Sequence, residues 1–219
     1  MEVLSCEGII KSYKGLNVLK GVDFSVKRGE ITSIVGSSGA GKSTLLQILG
    51  TLDKPDFGSI LLEGEDPMKL NNKKLAAFRN RNIGFIFQFH NLLPELSALE
   101  NAMLPGIIAG KNKIEAEKIA IEHLTLLGLD HRLNNKPNEL SGGEQQRVSV
   151  ARAIHNSPSI LLADEPSGNL DSKNAKDLHE LFFELRDSLN LTFVIVTHNE
   201  ELASISDRKV TMYDGKITE

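Results

Sequence analysis

A chain of 219 residues, 40% hydrophobic and 25% charged, has the balance of a soluble globular protein and can bury a core without disulfides or metals. The formal net charge of -4, from 25 basic and 29 acidic side chains, argues against a nucleic-acid partner, which calls for a basic face. Its single cysteine, Cys6, excludes an intrachain disulfide and a cysteine metal cluster, and fits a reducing compartment.

The chain opens without the basic-then-apolar pattern of a secretory leader. No apolar run approaches the roughly 20 residues of a membrane span, so work at a membrane would require recruitment by a partner. Val3 to Ile10 and Val18 to Val26, with turn signals at Lys14-Gly15 and Lys20-Gly21, predict a small antiparallel β-region. Cys6 falls in its first strand and reads as a small buried apolar residue.

Ile31 to Val35 is continuously apolar, the mark of a strand covered on both faces. Gly36-Ser37-Ser38-Gly39-Ala40-Gly41-Lys42-Ser43 follows at once and fits G-x-x-x-x-G-K-[ST]. Glycines let successive backbone N–H groups face an anion, and a helix from Lys42 to about Leu52 adds its positive end. Lys42 supplies a point charge, and the Ser43 hydroxyl is a hard oxygen ligand suited to Mg²⁺. Four fixed positions match by chance in roughly one chain of this length in a hundred. The preceding strand and the apolar run Leu45-Leu46-Gln47-Ile48-Leu49 lower those odds further.

From about Phe89 to Pro137 no buried strand is evident, and a helical insertion is predicted. Ile114, Ile121, Leu124 and Leu127 form a core-facing stripe there, with Gly128 as its stop. Residues 134–138 are a loop by composition. Ser141 and Glu144, in Leu140-Ser141-Gly142-Gly143-Glu144-Gln145-Gln146-Arg147, make a capping box for the next helix. Paired glycines weaken a first helical turn, but make sense where a phosphate approaches it closely.

Ile160 to Ala163 is a second apolar strand and ends in Asp164 and Glu165. Beside a phosphate loop, Asp164 can hold Mg²⁺ and Glu165 can act as general base; alone, the pair reads equally well as a solvated acidic turn before Pro166. Leu178, Leu181, Phe182, Leu185 and Leu189 predict an amphipathic helix. Phe193 to Val196 is a third apolar strand and delivers His198 to the same edge; a lone histidine there is more often structural. The strand ends converge only if these strands are neighbours in one sheet. Alternating apolar strands and helical patterns predict an α/β domain with a mainly parallel sheet.

These pieces, in this order, resemble the ATP-binding subunits of ABC transporters over essentially the whole chain. Leu140 to Gln145 is similar to the family's signature motif, Gly36 to Ser43 to its Walker A and Ile160 to Glu165 to its Walker B. Gln88, in Phe85-Ile86-Phe87-Gln88, matches the Q-loop, Gly168-Asn169-Leu170-Asp171 the D-loop, and His198 the switch histidine.

The resemblance implies a P-loop NTPase fold of α/β class, an ATP-binding cassette with a small antiparallel β-region and a helical subdomain. One nucleotide-binding domain would span the chain, with a core of about 1–88 and 158–219 and a helical subdomain of about 89–157. It implies ATP and Mg²⁺ as cofactors. Gly36, Ser37, Ser38, Gly39, Ala40, Gly41, Lys42, Ser43, Thr44 and Gln88 would bind the nucleotide, with Tyr13 against adenine. Ser43, Gln88 and Asp164 would meet Mg²⁺, and Glu165 and His198 would be catalytic. Ser141, Gly142, Gly143 and Asp171 would act in trans, from the second copy of a head-to-tail homodimer.

The implied partners are separate transmembrane permease subunits, with no nucleic acid and with membrane contact through those partners alone. The implied location is the cytoplasmic face of a bacterial inner membrane. Phe87, Phe89, Leu92, Leu93 and Leu96 form either a docking groove for such a partner or the core of the insertion. Within the family, Gln88-Phe89-His90 and Asp130-His131-Arg132 resemble the branch that powers lipoprotein release from the inner membrane. Other stretches are shared with macrolide-exporter ATPases and with cell-division ATPases that transmit force without transport. Ser167 departs from the usual threonine, and the C-terminus is short. Cassette ATPases of DNA repair or translation usually carry long coiled-coil insertions or fused cassettes; neither is evident here.

Overall fold

A computed structural model describes residues 1–218. β1 (Glu2–Tyr13) and β2 (Leu16–Lys27) form an antiparallel hairpin, and β4 (Phe57–Leu62) joins the free side of β1. Lys14 and Gly15 both take positive φ, 48° and 86°, which is the two-residue turn whose twist suits a hairpin. The second turn signal is corrected. Gly21 (φ 84°) lies inside β2, where the register slips between Ile9↔Val22 and Ile10↔Lys20, so Lys20-Gly21 marks a β-bulge. Cys6 is buried as expected, and burial pushes its thiol up to about 12.

The second sheet holds β3 (Ile31–Val35), β5 (Ile83–Phe87), β6 (Ile160–Asp164), β7 (Phe193–Val196), β8 (Arg208–Tyr213) and β9 (Lys216–Thr218). Its order is β5-β6-β7-β3-β8-β9; β9 runs antiparallel to β8, and all other pairings are parallel. The three strands read from continuous apolar runs, β6, β7 and β3, lie side by side in the middle. Both faces there are covered, so alternation is absent.

Two apolar clusters fill the two faces. One joins the antiparallel sheet to α1 (Lys42–Leu49) and the parallel strands. The other packs those strands against α6 (Ser172–Leu189) and the helical insertion. The insertion contains α3 (Ala98–Ile108), α4 (Lys113–Leu126) and α5 (Gly142–Ile154), and no strand between 89 and 137. α2 (Asn72–Asn82) precedes β5, and α7 (Glu200–Ile205) precedes β8. No helix of the described residues is long and apolar enough to cross a membrane.

Three helix expectations are corrected. α1 stops at Leu49, short of Leu52, because the chain turns away at Thr51 (φ 60°); Gly50 between them is where a Cβ would fall 2.4 Å from the Phe85 ring. α4 buries Ala116, Ala120 and Leu124, whereas Ile114 is 81% exposed. Alanines at i, i+4 let α4 approach α3 closely, which turns the bulky Ile114 outward and leaves Ile121 half-buried. Gly128 (φ 72°) ends that helix as predicted. In α6, Leu178, Leu181, Phe182 and Leu185 are buried, while Leu189 reaches solvent in the last turn before the left-handed Asn190.

Candidate functional site

The carboxyl ends of β5, β6, β7 and β3 are neighbours, so the segments following them meet at one edge of the sheet, where open α/β sheets bind ligands. A cleft of about 370 Å³ opens there. It is lined by Ser38, Gly39, Gly41, Lys42, Ser43 and Thr44 after β3, by Glu165 after β6, by Val196 and His198 from β7 onward, and by Leu16 and Val18 of the hairpin. An adjoining cleft of about 290 Å³ brings Ser43 together with Gln88, Asp164 and Glu165.

The loop after β3 has local reasons for its glycines. A Cβ on Gly36 would sit 2.1 Å from the Met212 carbonyl, so no side chain fits there. Gly41 takes φ 101° and leads into α1 without any side-chain cap. The first N–H groups of α1 thus remain free for an anion. Lys42 is 7% exposed, and its Nζ donates to the carbonyls of Gly36 (2.8 Å) and Ser37 (3.0 Å). Burial lowers its pKa, against the opposing pull of Glu165 and Asp164.

Asp164 Oδ1 accepts from Ser43 Oγ at 3.1 Å. Burial raises the Asp164 carboxyl, while Ser43 and Lys42 draw it back down. Glu165 has φ 47°, unusual for a residue with a side chain, and its own N–H donates to the Val196 carbonyl at 2.9 Å. Its Oε2 accepts the His198 N–H at 3.1 Å, and His198 Nε2 lies 3.1 Å from Oε1. Gln88 donates through Nε2 to Asn169 Oδ1 at 3.0 Å, and Asn169 returns a bond to the Gln88 carbonyl at 3.1 Å. Serine, aspartate and glutamine present an all-oxygen donor set. No group of three His, Cys, Asp or Glu side chains is arranged to hold a metal ion by itself among the described residues. Those donors suit Mg²⁺, which keeps waters and phosphate oxygens as further ligands.

Other predicted residues lie apart from the cleft. Ser141 and Glu144 form the reciprocal capping box, at 3.3 and 2.8 Å. A Cβ on Gly143 would meet Asn174 Oδ1 at 2.8 Å, a packing reason for that glycine; at Gly142 the nearest atom would be Leu170 Cδ2 at 3.7 Å, so packing leaves that glycine unexplained. Asp171 caps α6 through the N–H groups of Lys173 and Asn174, and those bonds hold its carboxyl low. Ser141, Gly142, Gly143 and Asp171 do not line the cleft of their own chain. Tyr13 stands beside the cleft: its cross-strand partner Leu16 lines it, and its hydroxyl lies near the Thr44 side chain.

Sequence reasoning missed two residues of α5. Gln146 is fully buried and donates to the Pro166 carbonyl at 2.8 Å, bridging α5 to the turn after Glu165. Its position four residues before Val150, on the buried face, was a usable signal. Arg152 donates to the carbonyls of Asn91 (2.6 Å) and His90 (2.7 Å), both residues having positive φ. Nothing in the local sequence points to that contact. Of the five apolar residues offered as a groove or a core, Phe89 is 73% and Leu93 46% exposed, so the core reading fails for these two.

The sequence profile described as ABC transporter matches residues 19–168. The lipoprotein-releasing system ATP-binding protein LolD of Cytophaga hutchinsonii is 61% identical over 216 residues, 99% of each chain. The protein of the same name from Bacteroides thetaiotaomicron is 59% identical, covering 98% of this chain and 99% of its own. Among solved structures, the ATP-binding cassette MJ0796, in a dimeric post-hydrolysis state bound to ADP and Pi, aligns with a TM-score of 0.90 and 39% identity over 99% of this chain and 97% of its own.

Proposed function

The chain belongs to the ABC transporter family as an ATP-hydrolysing cassette, and from that premise we propose that it powers lipoprotein release by working as one half of an ATP-closed homodimer. The observation that carries the reading is the meeting of Ser43, Asp164, Glu165 and His198 beside an uncapped helix N-terminus.

In this reading Gly36 to Thr44 cradle the triphosphate, with Lys42 offsetting the charge of the β and γ phosphates. Ser43, Asp164 and Gln88 are the residues that would hold Mg²⁺, which when bound neutralises phosphate charge and orients the γ-phosphoryl. Glu165 takes a proton from the attacking water, and His198, which donates its backbone N–H to that carboxylate, contacts the γ-phosphate. Tyr13 meets the adenine. Ser141, Gly142, Gly143 and Asp171 reach the nucleotide of the facing copy; their distance from the cleft of their own chain favours that assignment. The domain division is a core of about 1–88 and 158–219 with a helical subdomain of about 89–157.

The partners are separate transmembrane permease subunits, and the chain acts at the cytoplasmic face of the inner membrane through them alone. Exposed Phe89 and Leu93 lie near a surface cleft of about 510 Å³ lined by Phe85, Phe87, Asn91, Ile108 and Arg152, a fitting seat for a partner helix. The high identity to relatives named for lipoprotein release favours that cargo over macrolide export or cell division. The test is to trap tagged Glu165→Gln with ATP in the native host and identify what copurifies by mass spectrometry. A transmembrane subunit together with lipidated proteins supports the reading. A cell-wall hydrolase in their place would favour the cell-division alternative, and no membrane partner at all would overturn the transporter assignment.

A further inference from the structure

Around Tyr13 lies a polar cluster that the phosphate chemistry does not use. The Tyr13 hydroxyl donates to Asp53 Oδ2. Lys11 Nζ donates to Asp53 Oδ1 at 3.0 Å and to the Lys54 carbonyl at 2.6 Å, and lies 5.0 Å from the centre of the Tyr13 ring. Lys11 is only 8% exposed, in a strand of the antiparallel sheet. The Lys54 N–H also donates to Asp53 Oδ1, at 2.7 Å, and Asp56 Oδ2 accepts the Ser12 N–H at 2.7 Å. A cation therefore sits against the Tyr13 ring while a carboxylate fixes the ring's far end.

Asp53 belongs to the turn that ends α1, the helix carrying Lys42 and Ser43 at its other end; the Asp53 N–H donates to the Gln47 carbonyl at 3.3 Å. One short helix thus carries the phosphate loop at its N-terminus and the anchor of the Tyr13 ring at its C-terminus.

We propose that Asp53 and Lys11 are positioning residues for the nucleotide base: they hold the Tyr13 ring in place before ATP arrives, and they set its distance from the phosphate loop through α1. This rests on the assignment of Tyr13 to the base. An isolated surface hydrogen bond would hold little. Here Asp53 accepts from the Tyr13 hydroxyl, the Lys11 ammonium and the Lys54 N–H together, and the ammonium is buried. Burial of Asp53 works against its charge, but the bonds from Tyr13 and Lys11 outweigh it and keep the carboxyl low. The same bond to Asp53 pushes the Tyr13 hydroxyl up to about 12, so it stays a neutral donor at working pH. A ring fixed beforehand loses less freedom when a base packs on it, and that gain is made on binding rather than on chemistry.

The test measures ATP hydrolysis by Tyr13→Ala, Tyr13→Phe, Asp53→Ala and the Tyr13→Phe/Asp53→Ala double variant, with inorganic tripolyphosphate as a competing inhibitor that has no base. Tyr13→Phe and Asp53→Ala should each raise KM for ATP about fivefold, with kcat within about twofold. The double variant should be no worse than Asp53→Ala, because the bond that Tyr13→Phe deletes is already absent there. Tripolyphosphate inhibition should not change. If Tyr13→Ala raises KM while Tyr13→Phe and Asp53→Ala behave as wild type, Tyr13 keeps its role and the positioning inference falls. If Tyr13→Ala is also silent, the assignment of Tyr13 to the base falls first. Additive effects in the double variant, or weakened tripolyphosphate inhibition, would show that Asp53 acts on the fold or the phosphates instead. Should Asp53→Ala fail to fold, Tyr13→Phe, which deletes one hydroxyl, decides the matter alone.

Discussion

Glu165 occupies an uncommon place: a positive φ at the end of a buried strand, with its carboxylate held by the His198 N–H. Strain of this kind persists where surrounding structure over-determines it, here through the bond from Glu165 to the Val196 carbonyl. Glu165→Gln keeps the shape and removes the proposed base, so hydrolysis should fall at least about 100-fold while nucleotide still binds. Steady-state turnover and a binding titration check both halves; near-normal turnover would remove Glu165 from the base role. Lys42→Ala removes the point charge beside the phosphates and should weaken ATP at least about tenfold in a titration with a fluorescent ATP analogue. At this scale the sequence was readable wherever chemistry imposes a local pattern, as at Gly36 to Ser43 and at Asp164-Glu165. It was silent on the contacts Arg152 makes with Asn91 and Asn169 makes with Gln88, partners that lie 61 and 81 residues away along the chain.

The elements read best were those with an undiluted signal. β3, β6 and β7 are continuous apolar runs because each is covered on both faces. β8 escaped notice because it alternates, burying Val210 and Met212 while Arg208 and Lys209 face solvent. β5 was hidden by Gly84, where a Cβ would fall 2.4 Å from the Ala153 carbonyl. In α4 Leu124 and Leu127 are buried as read, but Ile114 misled, because the first half of the buried stripe is built on Ala116 and Ala120.

Two predictions belong to α5. Arg152 spans the carbonyls of His90 and Asn91 with two guanidinium nitrogens, a geometry that a lysine cannot copy. Arg152→Lys should therefore speed hydrogen exchange across residues 88–93 without unfolding α5; unchanged exchange would show that the contact does not hold the segment. His155, just after α5, is 1% exposed, and neither ring nitrogen makes a hydrogen bond of good geometry. Burial first, then Lys111 and His123, lower its pKa from 6.5 to about 4, with the Ala102 carbonyl opposing. The His123 ring, edge-on at 6.2 Å, is lowered the same way by burial, with Glu122 opposing and Lys111 adding to it. The unfolded chain takes up the His155 proton near pH 6.5 and the folded chain only near 4. Stability should thus be intact above 6.5 and fall toward 4, by up to about 1.4 kcal/mol per pH unit. Urea midpoints at pH 7 and 5 test this: the drop should shrink in His155→Gln, and an equal drop in both would clear His155.

At the scale of the molecule, the hairpin sheet carries Tyr13, the parallel sheet carries the phosphate loop and the carboxylates, and the insertion carries Ser141 to Gly143 out of reach of their own cleft. If Ser141 to Gly143 serve the nucleotide of a facing copy, as proposed, a single copy holds two halves of a site that do not meet. On that proposal, Glu165→Gln should accumulate as a dimer with ATP and revert to monomer with ADP, read by light scattering; a monomer under both nucleotides would contradict it. The order of strands was inaccessible from sequence, because neighbours in a parallel sheet are set by long crossovers. Only the sheet order β5-β6-β7-β3 turns four separate motifs into one edge.

The most direct test is ATP-driven release of a lipidated protein from proteoliposomes that contain this chain and its copurified membrane subunit. The lipidated protein should leave the vesicles with ATP but not ADP, and Glu165→Gln in the same complex should stop release while ATP still binds. ATP hydrolysis without any release, or release by Glu165→Gln at the wild-type rate, would contradict it.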